Sequence, residues 1–279
     1  MKKIVLLLPI VTGIIAGTSC TSTITQLSND ESAVITILST DSLPIPKDSI
    51  SLEKKVSSSP KKYIYLTIDD APLNGSSYID SIILSTKVKT NIFLVGNPIN
   101  ESKRFKRYHE ILKENPFIEL YNHSYSHADH KYAKYYKNPE QVVSDFEKNR
   151  SEFNLHHRIA RLPGRNLWQL GDRRKNYNQS GAEAAALLAE KGYKIFGWDV
   201  EWKYDPKNYS PQQTIDELID EIEHSCNTSG TFTPNHIILL MHDQMFAKIN
   251  GENNLSKLIH KLKEKDFTFE YLSDYPELE

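Results

Sequence analysis

From residue 63 onward the chain alternates short β-rich runs with helical patterns, and this alternation limits its possible folds more than any total. Seven runs read as strands: 63–68, 90–95, 117–121, 159–162, 194–198, 236–241 and 267–271. Helical spacing covers 76–87, 98–114, a segment opening at Pro139 behind an Asn138 cap, 182–191 before Gly192, a segment opening at Ser210-Pro211 and reaching Cys226, and 254–265. Regular β–α alternation implies parallel strands joined by right-handed crossovers. The expected fold is a distorted (β/α)7 barrel. Neither a GxGxxG nor a P-loop glycine pattern follows any strand, so nucleotide sites of those kinds lose support.

Residues 1–60 differ from the rest, because every Phe, Tyr, Trp and His lies in 61–279. Met1-Lys2-Lys3 and the apolar stretch from Ile4 to Ala16 have the profile of a secretory signal too short to span a bilayer. Ala16-Gly17-Thr18-Ser19-Cys20 resembles a bacterial lipoprotein signal, with cleavage leaving Cys20 as a lipidated N-terminus. Ordinary cleavage nearby, with Cys20 incidental, is the alternative. Residues 21–60 are rich in Ser and Thr, carry Pro44, Pro46 and Pro60, and read as a disordered tether. The expected organisation is a signal peptide at 1–20, a linker at 21–60 and a folded domain at 61–279. Such a chain belongs in a bacterial cell envelope, held to a membrane surface through Cys20.

A formal charge of −2 gives no basic footprint for nucleic acid, and no obligate protein partner is evident. Two cysteines make neither a disulfide framework nor a thiolate zinc site, and Cys226 reads as packing.

In α/β barrels chemistry collects at the C-terminal ends of the strands. Asp69-Asp70 follow the first strand, His123 and His127 the third, Arg161-Leu162-Pro163-Gly164 end the fourth, Asp199 and Glu201 follow the fifth, and His242-Asp243 the sixth. Singly, each has a plain structural reading. Adjacent Asp residues cap turns, and a His-x3-His pair on one helical face grips a metal or is solvated, with His130 a rival ligand. Their joint occurrence at successive strand ends carries the weight.

In that order the residues resemble the polysaccharide deacetylases with a NodB-homology domain, carbohydrate esterase family 4. Thr67-Ile68-Asp69-Asp70-Ala71-Pro72 resembles TFDDGP, Asn91 to Gly96 the TFFVVG strand, and Asn122 to His127 the NHTxxH motif. Arg161-Leu162-Pro163 resembles the start of RxPxG, Trp198 to Glu201 the start of WDVDxxDW, and Leu239 to Asp243 LLxHD. The resemblance covers essentially all of 61–279. It departs at Ala71, where Gly is usual. It departs again at Gly164-Arg165, where an aromatic and then Gly are usual. At Trp202 the fourth motif is interrupted.

The resemblance implies a NodB-like barrel that removes N-acetyl or O-acetyl groups from a glycan. One divalent metal, Zn²⁺ ahead of Co²⁺ or Ni²⁺, would sit on Asp70, His123 and His127. Asp69 would be the general base, aimed by Arg161, and His242 the general acid. Glu201 or Asp199 would support His242, the alignment favouring Glu201. Gly164 would lend its N–H to the oxyanion, while Trp168, Trp202 and Tyr125 would bind sugar; Trp198 and Tyr204 are within reach. Tyr132, Tyr135 and Tyr136 line a groove or pack. A near-neutral domain favours neutral sugars over polyanions. Two other readings exist: a deacetylase-like module that binds glycan without turnover, and a non-haem iron oxygenase, because two His and one carboxylate also make a facial triad.

Overall fold

The strand running from Lys62 to Ala71 (β1) has an unbroken buried stretch, Ile64 to Asp69, as a strand covered on both faces must. The structure is a computed structural model and describes residues 60–276. The expected signal peptide, Cys20 and the tether up to residue 59 lie outside the described residues, as does the side chain of His130. After β1 come α1 (Ser76–Thr86), β2 (Thr90–Leu94), α2 (Asn97–Glu101), α3 (Lys103–Glu114), β3 (Ile118–Asn122), α4 (Tyr132–Tyr135), α5 (Pro139–Phe153) and β4 (Ile159–Ala160). Then follow β5 (Trp168–Leu170), β6 (Arg173–Lys175), α6 (Ala182–Glu190), β7 (Lys194–Ile195), β8 (Val200–Glu201), α7 (Ile215–Asn227), β9 (His236–His242), α8 (Leu255–Glu264) and β10 (Phe267–Phe269).

All seven expected strands are present, and β1, β2, β3, β4, β7 and β9 run parallel in one curved sheet of order β6-β5-β7-β4-β3-β2-β1-β9-β8. β10 pairs with the start of β1. The expected barrel is thus a curled, parallel-rich α/β sheet. Among the described residues it ends at β6 and β8 instead of closing by hydrogen bonds. Two additions were not expected: Trp168 and its successors form an antiparallel hairpin, β5–β6, where the sequence reads as a loop, and the two-residue β8 runs parallel to β9.

Helix boundaries follow side-chain capping. The expected helix over 98–114 is two helices, because Ser102 is extended and its hydroxyl accepts from Phe105 N–H to start α3. Asn138 caps α5 through Gln141 N–H, as expected. The helix expected to open at Ser210 opens later, at a capping box in which Thr214 Oγ1 accepts from Glu217 N–H and Glu217 accepts from Thr214 N–H. Ser210-Pro211 instead lies in a turn bridged to Tyr204.

Strand alternation separates two cores. Ile64, Leu66, Ile68, Ile92, Ile237, Leu239 and Met241 face outward onto α1, α7 and α8, with Cys226 packed against this layer. Tyr65, Phe93, Tyr121, Ile159, Phe196 and Ile238 belong to a second, aromatic cluster inside the curl, which Trp168 joins.

Candidate active site

The inward-facing positions next along the strands from this aromatic cluster form the site. β1 turns in Tyr65, Thr67 and Asp69; β3 leads from Tyr121 to His123, β4 from Ile159 to Arg161, and β9 from Ile238 to His242. Parallel register sets Asp69 level with His242 on the neighbouring strand.

Alternation alone would send Asp70 to the opposite face from Asp69. The pairing of β1 with β2 shifts register between Ile68 and Ala71, and Asp70 adopts a left-handed φ of 68°. The bulge re-aims Asp70 so that both carboxylates reach one histidine. Asp69 Oδ2 lies 3.5 Å and Asp70 Oδ1 3.4 Å from His123 Nε2.

His123 and His127 do not sit on a helix, contrary to their i, i+4 spacing. They converge through a loop in which Ser124, His127, Ala128 and Asp129 all have positive φ. Ser124 Oγ accepts from His127 N–H at 3.1 Å, and Asn122 Oδ1 accepts from Ser124 N–H at 3.0 Å. From α5, Asp145 Oδ2 accepts from Ser126 N–H at 3.2 Å, Ser126 Oγ at 2.9 Å and the Tyr135 hydroxyl at 2.8 Å. A local spacing read as helix is therefore a loop fastened from outside.

Asp70, His123 and His127 fit a metal. Their ligand atoms lie within 4.8 Å of one another. Asp70 Oδ1 is buried with no aligned hydrogen bond, although His127 Nε2 is 3.0 Å and His123 Nε2 3.4 Å away. A tetrahedral ion with bonds of ~2.0–2.1 Å places its ligand atoms about 3.3 Å apart, so the spacing suits one. His123 Nδ1 lies 2.9 Å from the Arg161 carbonyl, a contact that sets the tautomer and frees Nε2 for an ion. Burial pushes the Asp70 carboxyl up, but His123 and His127 outweigh it and hold it well below the usual range.

Arg161 is fully buried, and each guanidinium nitrogen is satisfied. NH1 donates to Asp69 Oδ1 at 2.7 Å and Thr67 Oγ1 at 2.9 Å, NH2 to Gly197 O at 2.8 Å, and Nε to Phe196 O at 3.2 Å. Its plane lies over Phe93, 4.3 Å from the ring centroid. Asp69 is thereby held by one oxygen, leaving the other toward the His123 side.

Residues 57–163 match the family model described as polysaccharide deacetylase. A Bacillus subtilis (strain 168) protein, YheN, named provisionally as a polysaccharide deacetylase, is 25% identical over 219 residues, covering 76% of this chain and 68% of its own. The chitin disaccharide deacetylase of Vibrio alginolyticus is 23% identical, covering 77% and 71%. A Streptococcus mutans CE4 esterase shares the fold with a TM-score of 0.55 and 21% identity over 75% of this chain and 85% of that one.

Over residues 57–163 the chain matches the polysaccharide deacetylases.

Within that family frame, several expected roles change. Asp199 does not support His242. Its Oδ1 accepts from Phe232 N–H at 2.7 Å and Oδ2 from Ile238 N–H at 2.9 Å, near the start of β9 rather than its end. Glu201 pairs level with Leu240, and among the described residues no carboxylate bonds His242, whose Nδ1 is buried without a hydrogen bond. What does touch His242 is Tyr204, edge-on with ring centroids 4.9 Å apart.

Burial pushes Asp199 up to about 6 from 3.8, against its two amide bonds. A raised folded-state value gives stability that is present below 3.8 and lost as pH climbs through 6. Relative to Asp199→Asn, the unmutated protein should lose up to about 3 kcal/mol between pH 4 and 7. Urea midpoints across that range measure it, and a difference flat with pH would refute it.

Trp168 is not a groove wall. It is fully buried, stacks on Phe232 at 4.3 Å and donates Nε1–H to Asn166 Oδ1. Trp202 is also fully buried, bonded to Gln213 O and packed edge-on to Phe246. Trp168→Ala should cost about 3–5 kcal/mol of stability, as a core truncation does, while the folded fraction keeps its metal affinity. Melting curves and metal titration separate the two effects. Tyr125 faces α2 and α5, with its hydroxyl accepting from Asn100 and Lys148 over its ring. Trp198 is half-buried, its amide held by Asn166.

The aromatic surface near the ligands comes from elsewhere. Tyr132 stands edge-on to His127 at 5.8 Å, and a Cβ on Gly164 would meet its ring at 3.2 Å. Gly164 also has φ 63°, so glycine suits this turn for two reasons. Asp243, beside His242, was given no role by the sequence. Its buried carboxylate accepts from Gly75 N–H at 2.7 Å and from the Ser76 hydroxyl, fastening the turn after Asp69-Asp70 to β9.

Proposed function

We propose that this chain is a metal-dependent hydrolase that removes acetyl groups, N-acetyl before O-acetyl, from the amino sugars of a glycan. The observation that carries the reading is the convergence of Asp70, His123 and His127 beside Asp69, whose carboxylate is fixed by buried Arg161. A divalent ion on those three ligands, Zn²⁺ with Co²⁺ or Ni²⁺ as substitutes, would lower the pKa of water from ~15.7 towards ~7 and polarise the acetyl carbonyl.

The chain's own groups supply the rest. Asp69 accepts the proton of the attacking water on the oxygen not bound to Arg161. Gly164 N–H, which has no partner within the described residues, is available to the carbonyl oxygen as it gains charge. His242, level with Asp69 across the strand pair, delivers a proton to the departing nitrogen, so the products are acetate and a free amine. An amine is a poor leaving group, which is why a proton donor is needed and why an amide suits this pair. The Vibrio relative's name, a chitin disaccharide deacetylase, supports an N-acetylated sugar as substrate. Cys20, as a lipidated N-terminus, would tether the domain in the cell envelope.

Acetate release across a panel of acetylated glycans tests the reading. Activity should disappear on chelation and return with Zn²⁺. Protein that binds metal normally yet frees no acetate from any glycan would overturn it.

A further inference from the structure

Residues 207–210 and the segment 244–253 enclose a cavity of about 470 Å³. Its walls include Lys207, Asn208, Tyr209, Gln244, Lys248 and Asn250, and no carboxylate. The two asparagine side-chain oxygens in this set are already engaged. Asn208 Oδ1 accepts from Ser210 N–H at 3.0 Å, and Asn250 Oδ1 from Glu252 N–H at 2.8 Å and Asn253 N–H at 3.2 Å. The donors are not engaged: within the described residues neither lysine ammonium nor either asparagine NH2 has a partner. The nearby Asp205 uses its carboxylate on Lys207 N–H, within its own turn.

Two ring contacts link the cavity wall to His242. Tyr209 stacks on Tyr204 with centroids 5.8 Å apart, and Tyr204 stands 4.9 Å from His242. Tyr209 is exposed and held at a left-handed φ of 61°, its N–H donating to Asp205 O at 2.7 Å. A non-glycine residue kept in that conformation at a cavity rim is a feature found at ligand sites.

We propose that this cavity is a subsite for a carboxylate-bearing sugar, next to the sugar whose acetyl group is removed. The proposal rests on the deacetylase reading. The Tyr209 ring offers a face to pyranose C–H groups, the amides reach hydroxyls, and the two ammonium groups pair with the carboxylate. A chain charge of −2 conceals this local excess of cation, so the preference for neutral sugars inferred from the total does not hold here. The carboxylate comes from one of two sources, a lactyl ether or a uronic acid.

Titration calorimetry on metal-loaded Asp69→Asn protein tests it without turnover. The ligands are a tetrasaccharide alternating N-acetylglucosamine and N-acetylmuramic acid, a hyaluronan tetrasaccharide, the methyl ester of each, and neutral chitotetraose. At least one acidic ligand should bind about tenfold or more tighter than its ester and than chitotetraose, and the tighter one identifies the source. In Lys207→Ala/Lys248→Ala that ratio should fall to near one, whereas Lys207→Arg/Lys248→Arg retains it. Melting curves check that both pairs are folded. The proposal is overturned by equal affinity for acid and ester, by a ratio that survives the alanine pair, or by no binding of either acidic ligand. Acetate release by the unmutated protein decides the deacetylase reading separately.

Discussion

Asp69→Asn should lower acetate release by about 10²–10⁴-fold, the usual consequence of losing a general base. The substitution keeps shape and one hydrogen bond, since the amide oxygen can still accept from Arg161 NH1, now 2.7 Å from Asp69 Oδ1. It removes only the ability to take a proton. Metal affinity should stay within a few-fold, because the ligand atoms belong to Asp70, His123 and His127. Steady-state kcat/KM with metal content measured on the same sample tests this. A variant that keeps activity within about threefold would move the base elsewhere.

The second large effect is on stability. Arg161→Met leaves the Asp69 carboxylate buried without its guanidinium partner, along with the carbonyls of Phe196 and Gly197 that the guanidinium satisfied. Breaking one half of a buried pair costs about 3–5 kcal/mol. For a domain of this size that corresponds to a Tm lower by about 6–20 °C. Removing both charges is a different matter, since a buried pair replaced by apolar side chains is often neutral or better. Arg161→Met/Asp69→Leu should therefore regain much of the lost Tm while remaining inactive. Recovery of activity with stability would show that Arg161 does not act through Asp69. Failure of the double variant to regain Tm would place the cost in the carbonyl bonds instead of the ion pair.

The site was legible in the sequence where period-two alternation governs it. Asp69, His123, Arg161 and His242 are inward positions at the ends of strands whose apolar runs are plain, so their convergence follows from the fold. Asp70 was legible only as a neighbour of Asp69, because the bulge that turns it inward depends on the register against β2. The loop of His123 and His127 read as helix because spacing cannot reveal that Asp145 pins it from α5. Trp168 read as surface because its stacking partner, Phe232, lies far along the chain. Asp199 shows the same limit. A carboxylate after a strand looks free until the amides it accepts from are placed beside it.

β9, which brings His242, is inserted between β1 and β8, although β1 is made near the start of the domain and β9 near its end. During synthesis β2 can cover one edge of β1 soon after it emerges. The other edge, along the apolar run from Ile64 to Ile68, stays open until residues 236–242 arrive. An open apolar edge recruits stray strands, and a pairing of such long separation forms slowly. A nascent chain cut short before residue 236 would thus lack His242 and also expose a template for self-association. The seam that completes the catalytic centre is the one that makes the chain safe to leave unattended.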